Sequence, residues 1–216
     1  MEKIKTWLHP LRQMFLVSLV LMVICGLGFP LVLTGISAVI FPHQAHGSLV
    51  EVDGQYVGSE HVGQEFTEPY FMKGRPSAVQ YNTYWENEDG TQVLADGSEF
   101  GGVSSGSANY GASDSRLHQR VQADLDAFLA ANPDVKVEDI PTDLLAASGS
   151  GLDPDISPAA AAIQLPAIAE ASGLSMELLT EIVADNTEGK LLGVFGAETV
   201  NVLGVNVDIA AAMAEK

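Results

Sequence analysis

The sequence predicts an α+β protein, with one N-terminal transmembrane helix followed by a single exported mixed α+β domain. Three observations carry that reading. No Asp, Glu, Lys or Arg occurs between Arg12 and Glu51, a gap of 38 residues. The charge is unevenly divided: residues 1–40 hold Lys3, Lys5 and Arg12 against Glu2, and the remainder holds 7 basic and 27 acidic residues, a net charge of −20. Beyond the gap, short β-type runs and helix caps follow one another without an internal repeat. A greasy head on an acidic body also reconciles a mean hydropathy of +0.18 with a net charge of −18 over 216 residues. So acidic a body argues against nucleic acid or an anionic membrane surface as its partner. A hydrophobic content of 47% rules out a disordered acidic tail.

Residues 1–13 read as a cytoplasmic N-terminus, 14–36 as the transmembrane helix and 37–216 as the exported domain. About 20 apolar residues, rising roughly 1.5 Å each, cross a hydrocarbon core of about 30 Å. With no water there to bond the backbone, a helix is required. Pro30 is expected to kink or end it near the far interface. A cleavable signal peptide has an apolar core of only about 7–15 residues and a prompt small-x-small site. Here Gly35-Ile36-Ser37 sits inside greasy sequence and Ala45-His46-Gly47 comes late, so a retained anchor is the better reading. The basic residues precede the span, which places the N-terminus in the cytoplasm and the body outside a single-pass inner or plasma membrane anchor. Cys25, the sole cysteine, lies in the span, so no intramolecular disulfide can form.

In the body, residues 47–66 read as short strands, with Asp53-Gly54 as a hairpin turn. Tyr81 to Gly111 reads as a long acidic loop, with a surface insertion around Trp85–Glu99. Ser113 then caps a helix through about Ala131, whose Leu117, Val121, Leu125, Phe128 and Leu129 fall on one stripe. Pro141-Thr142-Asp143 opens a short helix. Ser157-Pro158 caps and starts another, to about Ala171, which Pro166 should bend. Ser175 starts a helix to about Asp185. Leu191–Phe195 and Val200–Val207 read as strands, and the Ala-rich end as a last helical turn or two.

No catalytic constellation emerges. The sequence lacks GxxxxGK[ST], HExxH and a cysteine-based metal set. Gly102-Val103-Ser104-Ser105-Gly106 matches GxSxG, but the pattern needs a strand before the serine and a helix after it, and the flanks read as loop. Asp153-Pro154-Asp155-Ile156-Ser157 begins like a calcium loop, yet Pro158 and Gln164 stand where glycine and a bidentate glutamate belong. His43 and His46 lack further ligands, so no metal is expected. Ser148, Gly149, Ser150 and Gly151 are the candidate anion site, since small residues before a helix can offer free amides. As a tight helix connection the same run needs no ligand, and no lysine or arginine is near it in sequence.

The run SGSGLDPDISPAAAAIQ, residues 148–164, resembles the signature of the C subunit of the Kdp-type potassium-transporting ATPase, the KdpC family. Phe41-Pro42-His43-Gln44-Ala45-His46-Gly47-Ser48-Leu49 is similar to the family's segment after the membrane helix, with His46 where asparagine is usual. Gly58-Ser59, residues 62–66 and the run Tyr70–Ala78 follow its pattern. Residues 105–111 resemble its Ser/Gly/Asn segment, with SGSAN for SGGSN, and Val200–Leu203 with Val205-Asn206 its closing strand. The resemblance covers nearly the whole chain, with the motifs in the expected order.

It implies a non-catalytic accessory subunit of a high-affinity ATP-driven potassium uptake pump. The implied partners are a channel-like potassium-binding subunit, a P-type ATPase subunit and a small membrane peptide. The phosphorylation signature DKTGT is absent, so this is not the phosphorylated subunit. The resemblance also implies a catalytic chaperone that raises the ATP affinity of the ATPase subunit, with ATP as an associated ligand. The predicted topology fits assembly, the span packing on the channel-like subunit and the outer domain covering its entrance. A second reading is a membrane-anchored exported binding or serine-hydrolase-like domain acting alone through Ser104. The acidic loop of Glu86, Glu88, Asp89, Asp96 and Glu99 would serve solubility or gather potassium.

Overall fold

The computed structural model describes residues 2–94 and 97–216, with the side chains of residues 10 onward. Asp96 of the acidic loop and the side chains of Lys3, Lys5 and His9 lie outside the described residues. The chain divides into two compact units, residues 1–49 and 50–216.

The first unit is a long helix: α1 (Glu2–Val23), a wide π turn (Ile24–Gly28) and α2 (Phe29–Ile40), followed by the short α3 (Pro42–Ala45). From Pro10 to Ile40 it is long and apolar enough to cross a membrane. Its large apolar side chains are exposed all round, as in Leu16, Val20, Leu27, Leu31 and Val39, the pattern of a helix made for lipid. Pro30 does not end it. A proline ring inside a helix presses on the carbonyl four residues back and removes one N–H donor. Here Pro30 falls in the first turn of α2, and the π turn lets the Phe29 N–H reach the Ile24 carbonyl instead.

The second unit opens on strands β1 (Leu49–Val52) and β2 (Gln55–Ser59), paired across Asp53-Gly54. Both turn residues have positive φ, 51° and 79°, as a two-residue I′ turn requires. A small hairpin, β3 (Trp85–Glu86) with β4 (Gln92–Val93), forms the insertion. Helix α4 (Ser115–Ala131) is capped by Asp114 rather than Ser113, and its predicted stripe is the half-buried face. Pro166 does more than bend the next helix. It divides it into α5 (Pro158–Ala162) and α6 (Leu165–Ser172), sitting in the first turn of α6 where its missing N–H is harmless. Ser157 and Ser175 cap α5 and α7 (Met176–Asp185) as expected.

Strands β5 (Asp155–Ile156), β6 (Thr187–Glu188) and β7 (Thr199–Asn201) form an antiparallel sheet with β7 central. The run Val200–Val207 is mostly not a strand. After β7, Asn201 accepts a bond from the Gly204 N–H and caps α8 (Val202–Ala214). Val202, Val205, Asn206 and Ile209 are buried at helical spacing, and that periodicity overrides the β-branched composition. Leu191–Phe195 is not a strand either, but a tight turn closed on itself. Helices α5 to α8 and the sheet enclose a core of Met72, Ile156, Leu165, Ile168, Leu179, Val200, Val205 and Ile209.

Candidate functional site

The segment Tyr70–Ala78 contains no helix or strand, yet Met72 at its centre is fully buried. An extended backbone inside a core needs partners for its N–H and C=O groups. Two side-chain amides supply them. Asn206 of α8 accepts from the Met72 N–H at 2.7 Å and donates to the Met72 carbonyl at 2.9 Å. Gln164, between α5 and α6, accepts from the Lys73 N–H at 2.9 Å and donates to the Lys73 carbonyl at 3.2 Å and to that of Ala160 at 3.0 Å. Each amide imitates one rung of a β-ladder. Both are about as buried as the aliphatic core, at 2% and 3% exposure.

The segment's second half is pinned to residues 146–154. Arg75 pairs with Asp153 at 3.2 Å and donates to the Ala146 carbonyl. Ser77 Oγ donates to the Gly151 carbonyl at 2.7 Å and accepts from the N–H groups of Val79 and Tyr81. The Tyr81 hydroxyl donates to the Arg75 carbonyl at 2.6 Å. Two glycines make the approach possible. A Cβ on Gly63 would run into the Asp153 carbonyl and the Tyr81 ring, and one on Gly151 into the Val79 side chain. The Val202 N–H reaches the Pro154 carbonyl, and Ser105 meets Ser150 at 3.3 Å. The structure thus brings four quoted segments, 70–78, 105–111, 148–164 and 200–206, into one seam.

Burial sets the electrostatics of this seam. It lowers the pKa of Lys73, against the pull of Glu68 and Glu65, and the ammonium donates to the carbonyls of Phe66 and Glu68. It pushes Tyr81 up to about 12, and Asp153 adds to the effect. A phenol that stays neutral in the fold while the unfolded chain ionises near 10.0 weakens the fold between pH 10 and about 12. Unfolding titrations across that range should therefore show stability falling with pH, and Tyr81→Phe should flatten the fall. Equal slopes in the two proteins would contradict the burial of this phenol.

The candidate anion run lies in the seam, and its amides are partly engaged. Ser148 Oγ accepts from the Ser150 N–H and Ser150 Oγ from the Leu152 N–H. A basic residue does stand close by, contrary to the linear sequence, but Arg75 faces Asp153 and Ala146. Asp153 also accepts from the Asp155 N–H, and Asn201 bridges Asp155 and the Glu60 carbonyl. Ser104 sits in an exposed loop clamped by Asn82, whose side chain bonds both its N–H and its carbonyl. No helix leaves that serine; α4 starts only at Ser115. His46 donates to the Pro42 carbonyl in its own turn. Beside the seam, a cleft of about 880 Å³ is lined by Tyr110, His118, Arg120 and Ile140, and one of about 450 Å³ by Lys73, Arg75, Tyr81 and Asp124.

Sequence reasoning quoted these segments but missed the roles of Asn206 and Gln164. Their one local signal is a polar residue at a core position of a helical pattern, Asn206 between Val205 and Ile209.

The family described as "KdpC: K+-transporting ATPase, c chain" matches residues 11–211. The chain belongs to the KdpC family. Similar curated relatives carry the name potassium-transporting ATPase KdpC subunit. That of Clostridium kluyveri is 57% identical over 205 residues, 95% of each chain. That of Clostridioides difficile is 59% identical over 200 residues, 93% of this chain and 96% of its own. That of Caldanaerobacter subterraneus is 43% identical over 192 residues, 89% and 90%. A KdpC chain is a subunit of the potassium-transporting ATPase complex, hence an accessory subunit of a potassium pump. The match takes in the apolar helix as well as the body, in keeping with a membrane-associated subunit.

Proposed function

We propose that this KdpC subunit is a non-catalytic assembly factor. Its helix Pro10–Ile40 is anchored beside the channel-like and P-type ATPase subunits and the small peptide of the pump, and its body lies outside. The observation that carries this reading is the use made of the signature residues. Arg75, Ser77, Asp153, Gln164 and Asn206 are engaged in holding Tyr70–Ala78 onto the core. A signature devoted to internal bonds maintains a rigid shape for others to dock against. A catalytic signature would instead turn its polar groups toward a substrate. Lys3, Lys5 and Arg12 before the span, with no Lys or Arg after it until Lys73, support the inward N-terminus.

Co-expression of the tagged full chain with the other pump genes tests the reading. The large subunits should co-purify in stoichiometric amounts, and their absence would overturn it. The same preparation tests the chaperone role that the family resemblance implies. With the subunit present, the KM of the pump for ATP should fall with kcat little changed, the signature of added binding. An unchanged KM would confine the role to assembly.

A further inference from the structure

Strands β6 and β7 continue into an arm, residues 189–198, whose tip is Leu191-Leu192-Gly193-Val194-Phe195. Its backbone closes on itself: the Leu191 N–H donates to the Phe195 carbonyl at 2.9 Å and the Phe195 N–H to the Leu191 carbonyl at 3.0 Å. Four large apolar side chains stand on it, Leu191, Leu192, Val194 and Phe195, exposed by 70%, 83%, 73% and 63%. Leu192 and Gly193 both have positive φ, 54° and 73°, and the Val194 N–H bonds the Leu191 carbonyl, which makes a type I′ turn. The first central position of that turn favours Asn, Asp or Gly, and a bulky residue there is strained. Neither the backbone nor packing within the body accounts for Leu192.

We propose that this tip is a docking knob that seats in an apolar socket on another subunit of the same pump. The charges around it favour a protein socket over lipid. Glu188 and Glu198 flank the tip against Lys190 alone, on a body of net charge −20, which an anionic leaflet would repel. An aromatic with aliphatic neighbours on a rigid turn suits a central anchor, since little side-chain or backbone freedom is lost on docking. The proposal rests on the assembly reading above.

Leu192→Asn separates the two roles of the residue, because asparagine suits the turn and removes the apolar tip. The full-length variant should unfold at the same or a higher temperature, while co-purification of the pump subunits drops about tenfold or more. Retention at the wild-type level would overturn the proposal. An independent readout comes from a benzophenone-bearing phenylalanine analogue built in at Phe195 of the assembled complex. An adduct with another pump subunit is expected, and adducts confined to lipid or to a second copy of this chain would overturn the proposal. A wild-type chain that brings down no subunit would sink the assembly reading, and this proposal with it. That result is distinct from a variant that is simply retained.

Discussion

Asn206→Leu should be among the most damaging single substitutions in the body, costing about 3 kcal/mol and lowering the melting temperature by about 10 °C. Leucine keeps the branched shape and heavy-atom count of asparagine and is somewhat larger, so no cavity is opened. The loss comes from the Met72 N–H and carbonyl, which face Asn206 at 2.7 and 2.9 Å inside a site 2% exposed. With the amide gone, each is left buried without a partner, at about 1–3 kcal/mol apiece. Gln164→Leu should act similarly on Lys73, and the double variant should lose less than the sum, because both amides hold the same segment. Thermal and urea unfolding of the purified protein measure this. A change within about 0.5 kcal/mol would refute the anchoring role of the amide.

Those contacts were not legible in the sequence, for a definite reason. Asn206 and Met72 are 134 residues apart, and no local pattern announces which distant backbone an amide will meet. Local chemistry was legible wherever it was self-sufficient. Asp53-Gly54 specifies its turn, Ser157-Pro158 and Ser175 cap their helices, and the Leu117–Leu129 stripe gives α4. The reading failed where local preference and tertiary burial disagree. Val200, Val202, Val205 and Val207 look like a strand by composition, but only Thr199–Asn201 pair as one. At the candidate site, the resemblance picked out the signature segments along the chain, and the fold supplied their clustering. The positions of Arg75 and Tyr81 came from the fold.

Ile209→Ala should lose a comparable amount, about 3 kcal/mol, as expected for a fully buried isoleucine with little room for its surroundings to collapse. Ile209 has no exposed surface and lies one turn beyond Val205 and Asn206 on the same buried face of α8. The comparison with its neighbours makes the test specific to the helix. Val205, also without exposed surface, should be costly to truncate, whereas Val207 is half-buried and Val207→Ala should cost about 1 kcal/mol or less. A strand would have placed Val205, Val207 and Ile209 on one side and made them equally sensitive. Unfolding free energies of the three alanine variants decide between the patterns.

The Asn206 clamp has a consequence for the order in which the chain matures. The segment around Met72 is synthesised early, but one of its buried rungs comes from a helix 134 residues later, and the other, Gln164, from 91 residues later. Until α8 emerges, that stretch has no stable place to lie, and its apolar side chains remain open to capture by other proteins. Contacts of such long separation are the slow ones to form. A nascent body waiting on its last helix is therefore exposed to chaperones and proteases during most of its synthesis, and interruptions before α8 should yield chains that are degraded rather than partly functional.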